Sequence, residues 1–95
     1  MNVTTRIYNE RFAPGAEPRS EAYRHGVLDR LRHDAENAPS PISKPRYQPG
    51  TAERDAWLSG LDAGHMLWLR HLDRQQESAY LMQPDIPRFL REQAS

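Results

Sequence analysis

Two stretches of this chain place their large apolar residues at helical spacing. In the first, Tyr23, Val27, Leu31 and Ala35 recur every four residues, with Ala22 and Leu28 beside them. That spacing gathers them on one face of a helix. The predicted helix covers 18–37: it opens near Pro18, with Glu17 and Glu21 suited to the positive end of the dipole. It stops around Asn37, ahead of Pro39 and Pro41. In the second, Trp57, Leu61, Gly64, Trp68 and Leu72 step four, three, four and four, and Leu58, His65 and Leu69 widen the stripe. Thr51 as N-cap, with Glu53 and Asp55 in the first turn, predicts a helix over 51–82. Pro84 disfavours its continuation.

The segments around these helices read differently. Residues 1–16 form an N-terminal arm with an extended stretch from Val3 to Tyr8, and Pro14-Gly15 fits the centre of a type II turn. Ile7, Tyr8 and Phe12 are expected to pack the arm onto the helices. Residues 38–50 carry Pro39, Pro41, Pro45 and Pro49, which makes them a stiff extended linker, with Ile42 and Tyr47 as its only sizeable apolar anchors. Asp85 caps a last short helix over 85–93 with Ile86, Phe89 and Leu90 on its apolar edge. The fold expected is all-α in one domain, 1–95: an antiparallel two-helix hairpin with a Pro-rich connection, an N-terminal arm and a short C-terminal helix.

One phrase occurs twice, 34 positions apart. Ala22-Tyr23-Arg24-His25-Gly26 is echoed by Ala56-Trp57-Leu58-Ser59-Gly60, with an acid before each Ala and an aliphatic after each Gly. A Gly within a helix costs roughly 1 kcal/mol relative to Ala, so two at matched places point to close backbone approach. The helices are expected to meet at Gly26 and at Gly60 or Gly64. At 1.5 Å per residue the second helix is also roughly 16 Å longer than the first. Its overhang, with Tyr80, Leu81 and Met82, calls for the C-terminal turn, the arm or a second copy in a homodimer.

Composition narrows the function. The 95 residues hold 13 basic and 13 acidic side chains, for a net charge of zero, and no cysteine. Disulfides, thiolate chemistry and cysteine zinc sites are thereby excluded, and a cytoplasmic location is expected. No run of about 18 apolar residues marks a membrane span, and the polar start lacks a secretory signal. Nucleic-acid binders concentrate a basic surplus on one face, so a neutral chain ranks RNA below protein as a partner.

Candidate chemistry is sparse. Glu21, His25 and Asp29 align at i, i+4 and i+8, but no two histidines share that spacing, and no metal or cofactor is expected. Ser59 stands mid-helix without the strand-turn-helix elbow of a nucleophile, and Gly60 and Gly64 lie inside a helix rather than before one. The chain is therefore read as non-enzymatic. Its candidate binding residues are Lys44, Arg46, Tyr47 and Arg54. These cations beside an aromatic on a Pro-stiffened segment lose little entropy on binding, and Tyr and Arg often dominate interfaces.

Tyr23 to Gly26, then Arg46-Tyr47, then Arg54-Asp55-Ala56-Trp57-Leu58-Ser59-Gly60 form an ordered pattern of helix, linker ending in Tyr, and helix. Over about 22–64 this resembles the ribosome modulation factor group and its small plasmid- and phage-borne relatives. The resemblance implies a two-helix fold and, as a function, binding to 16S ribosomal RNA in ribosome hibernation. Weighed with the neutral charge, the leading expectation is a small phage- or mobile-element-type modulator or inhibitor. It would bind a host or cellular protein stoichiometrically and occlude it, with ribosome or rRNA binding as the alternative.

Overall fold

A computed structural model describes residues 2–81, with side chains as far as Glu77. Three α-helices make it up: α1 (Val3–Arg11), α2 (Glu21–Glu36) and α3 (Ala52–Leu81), with a 3₁₀ turn at Pro41–Ser43. There is no strand among the described residues, so the chain is all-α there.

The residues expected to form an extended arm are instead the helix α1. Asn2 caps it, its side chain accepting a hydrogen bond from the Thr5 backbone N–H at 2.8 Å. The β-branched Val3, Thr4, Thr5 and Ile7 favour strand locally, but a helix puts Ile7 into the core, and such burial outweighs propensity. Ile7 packs in one cluster with Val27 and Leu31, and Val3, Tyr8, Phe12 and Tyr23 close around it. Asn2 reaches Glu36 while Phe12 meets the edge of Tyr23, so α1 runs antiparallel to α2. The expected packing of Ile7, Tyr8 and Phe12 is therefore observed, on a different backbone. The turn after it is also as expected, with Gly15 at φ 91° and the Ala16 N–H donating to the Ala13 carbonyl.

Helix α2 begins at Glu21 rather than near Pro18. Ser20 is its N-cap, accepting from the Tyr23 N–H, and a cap satisfies a donor that Pro18 cannot. Asn37 ends it in the left-handed conformation at φ 58°. Thr51 caps α3 as its sequence indicates, accepting from the Arg54 N–H at 3.1 Å. The short helix expected over 85–93, and the overhang side chains Tyr80, Leu81 and Met82, lie outside the described residues.

The contact between α2 and α3 departs from the expected antiparallel hairpin in its direction. A Cβ placed on Gly26 would meet the Trp57 carbonyl and lie 2.9 Å from Gly60 Cα. A Cβ on Gly60 would meet the Tyr23 carbonyl and lie 3.0 Å from Gly26 Cα. One turn further along both helices, a Cβ on Gly64 would lie 2.7 Å from the Val27 carbonyl and 3.0 Å from Arg30 Cβ. The next residue of α3, His65, reaches Asp34, a turn beyond Arg30 on α2, at 3.0 Å. Contacts advance together along both helices, so α2 and α3 run parallel. The offset of 34 residues between Gly26 and Gly60 is that of the sequence repeat, so the two echoes lie side by side in register. Tyr23 and Trp57 are equivalent in the repeat, and each supplies the carbonyl that the other helix's glycine accommodates.

A parallel pair requires the chain to return along α2 before α3 can start. The linker does this. The His33 ring donates to the Ala38 carbonyl at 2.7 Å, Arg46 then binds Asp29, and Tyr47 binds His25, each step lying further back along α2. Sixteen helical residues span roughly 24 Å, which 13 residues of Pro-rich extended chain cross easily.

Candidate functional site: the linker strap and the outer face of α3

The strap is fixed to α2 by the face that carries Glu21, His25 and Asp29. Asp29 is its hub: Oδ1 accepts from Arg46 at 2.7 Å and Oδ2 at 3.0 Å, a bidentate fork. Oδ2 also accepts from Trp57 Nε1 at 2.9 Å. Trp57 is fully buried, so that bond satisfies an indole donor which would otherwise be lost to water. Burial raises the Asp29 pKa, but the hydrogen bonds from Arg46 and Trp57 and the Arg46 charge outweigh it, and the net shift is downward. Arg46 is raised in return, first by its bond to Asp29.

Tyr47 shares a hydrogen bond of 2.8 Å with His25 Nδ1 and lies edge-on to Trp57. Arg54 donates to the Tyr47 carbonyl at 3.1 Å and lies over the Trp57 ring. Of the four residues singled out in the sequence, three are therefore engaged by the fold itself. Lys44 is exposed, and its side chain alone of the four makes no hydrogen bond or ion pair among the described residues. It borders an open cleft of about 380 Å³ with Arg32, Pro39 and Pro41. Ile42, expected to anchor the strap, is 55% exposed. The carboxylate and imidazole that bind the strap were visible in the sequence as a stripe on α2, where four-residue spacing aligns them with a linker carrying Arg46-Tyr47.

A second polar group ties α3 to α2 at the other end. Asp34 accepts from Arg30 Nε at 3.0 Å and lies 3.0 Å from His65 Nδ1. Burial pushes its pKa up, the bonds from His65 and Arg30 pull it down more strongly, and the result is a lowered value. His65 is thus used in helix pairing, and no cluster of three metal-ligating side chains exists among the described residues.

The outer face of α3 differs from what the sequence implied. Leu58 and Leu69, expected to widen the core stripe, are 36% and 40% exposed, and Met66 is 50% exposed. The core takes Trp57, Leu61 and Trp68 from α3 as expected, with Ala63 and Leu67 in place of Leu58 and Leu69. Leu58, Met66 and Leu69 fall on one line of the helix with Asp55, Asp62, Asp73 and Glu77, stepping three, four, four, three, four and four. All seven are exposed, and none of the acids is in an ion pair among the described residues. Asp62 separates Leu58 from Met66 and Asp73 follows Leu69 on the same line, and these acids were the available signal.

No family model, curated protein or solved structure matches this chain. No helix of the described residues is long and apolar enough to cross a membrane.

Proposed function

We propose that this chain is a non-enzymatic binding protein. It acts as a stoichiometric modulator or inhibitor of the phage or mobile-element type, docking on a host protein and occluding a site there. The observation that carries this reading is the outer face of α3. A helix whose inner face already supplies the core keeps Leu58, Met66 and Leu69 exposed at helical spacing. Aligned exposed apolar side chains mark interaction surfaces, whereas scattered ones need no explanation. Ser59, the one imaginable nucleophile, is exposed on α3 and bonded to neither His25 nor His65. On the linker, Lys44 is the side chain left free for contact, because Arg46, Tyr47 and Arg54 hold the strap in place.

The second reading, ribosome or rRNA binding, draws on Arg24, Arg32 and Lys44, which are exposed on α2 and the strap. Affinity capture from native lysate with and without nuclease separates the two. Capture of a defined protein that survives nuclease and is lost in Met66→Asp with Leu69→Asp is the expected result. Capture that disappears on nuclease treatment and survives that double substitution would assign function to the basic side instead.

A further inference from the structure

We infer that the element docking on α3 is a basic amphipathic α-helix of a protein partner, laid along the stripe from Asp55 to Glu77. This rests on the contact reading above and adds the chemistry of the occupant. The stripe runs for 22 residues of one unbroken helix, roughly 33 Å, which is the length of a partner helix of about six turns. Its middle holds the three apolar side chains with Asp62 among them, and it is bounded by Asp55 on one side and by Asp73 and Glu77 on the other. A helix bearing leucine-like anchors at matching spacing, flanked by Lys or Arg, would bury those anchors and pair the acids.

The charges on the neighbouring elements support this assignment. On one flank, His65 is already held by Asp34 and Arg30 of α2. On the other, Arg70 and Arg74 lie beside Leu67 and Asp73, at the margin of the stripe rather than on it. Along the line itself no cation occurs. A second copy of α3 on this face would bring Asp62 and Asp73 against their own equivalents, and like charges in contact oppose association. Nucleic-acid phosphates meet the same repulsion. A cationic helix is the occupant that turns the four acids from a cost into a gain.

Methionine-methyl NMR tests this directly, because Met66 is one of three methionines and lies in the stripe. The probes are two synthetic amphipathic helices of about 20 residues with one leucine stripe, flanked in one by Lys and Arg and in the other by Glu. The basic helix is expected to shift the Met66 methyl, and the acidic helix to leave it unmoved. Asp62→Lys with Asp73→Lys should weaken the basic helix by about tenfold or more and transfer the shift to the acidic one. Equal shifts from both helices would overturn the charge assignment while leaving the protein-contact reading intact. An unmoved Met66 with either helix would overturn both. A dimer in sedimentation that Leu69→Asp dissolves would make a second copy the occupant and overturn the proposal.

Discussion

Toward α2, α3 presents Trp57, Gly60, Leu61 and Gly64, all buried. Toward solvent it presents Leu58, Asp62, Met66 and Leu69, all exposed. Both faces carry large apolar residues at helical spacing, so hydrophobicity alone does not separate them. What separates them is the residue placed between the apolar ones. On the inner face it is glycine, which brings the backbones into contact; on the outer face it is aspartate, which keeps a backbone away. The inner face is committed by the fold, and the outer face is left available for something else.

The comparison breaks most readily at the glycines. Gly26→Ala and Gly60→Ala should each destabilise the protein by about 2–3 kcal/mol, because the added Cβ meets a backbone carbonyl that cannot move without parting the helices. In an open helix the same change stabilises by roughly 1 kcal/mol, so the sign of the shift in thermal midpoint is itself diagnostic. Asp29→Ala comes next. It strands the buried Trp57 indole N–H and releases Arg46, and chemical denaturation should show a loss of about 1–2 kcal/mol.

Asp29 and Asp34 also give the inner side a pH dependence. Both have pKa values lowered by folding. Their contribution is therefore fully present above the unfolded carboxylate value, near about 4, and is lost as pH falls through the lower folded values. The thermal midpoint should drop on acidification below about pH 4, and Asp29→Asn with Asp34→Asn should flatten that drop. The smallest effect is expected outside. Leu58→Ser, Met66→Ser and Leu69→Ser should each cost less than about 1 kcal/mol, since a third to a half of each is already in water. A loss of 2 kcal/mol or more at any of them would mean that the outer face belongs to the core.

Much of the inner face was legible in the sequence. The stripe of Val27 and Leu31, the Thr51 cap and the meeting of the paired glycines follow from spacing and helix physics alone. The direction of the pair was not, because a glycine contact is compatible with either sense, and a linker of 13 residues can close a hairpin or cross back along a helix. The advance of contacts from Gly26 and Gly60 to Asp34 and His65 decides it, and the bonds from Arg46 to Asp29 and from Tyr47 to His25 trace the linker's return. The helix α1 was hidden by its own β-branched residues, whose strand preference is overridden by packing of Ile7 on α2. Arg46, Tyr47 and Arg54 were singled out by residue type, which does not distinguish a partner's carboxylate from one on the next helix. Leu58 and Leu69 were assigned to the core because a stripe read from apolar residues alone takes no account of the aspartates beside them.

The inner faces of α2 and α3 meet in a parallel register that sets Gly26 against Gly60, and an electron-spin distance measurement tests that register most directly. The chain has no cysteine, so pairs of introduced cysteines carry spin labels at chosen sites only. One pair joins Arg32 on α2 to Met66 on α3, and the other joins Arg32 to Glu53, 13 residues earlier on α3 and so roughly 20 Å away along its axis. Parallel, in-register helices require the distance from 32 to 66 to be the shorter of the two, by about 10 Å. A shorter distance from 32 to 53 would mean that the helices are antiparallel and that the linker does not return along α2.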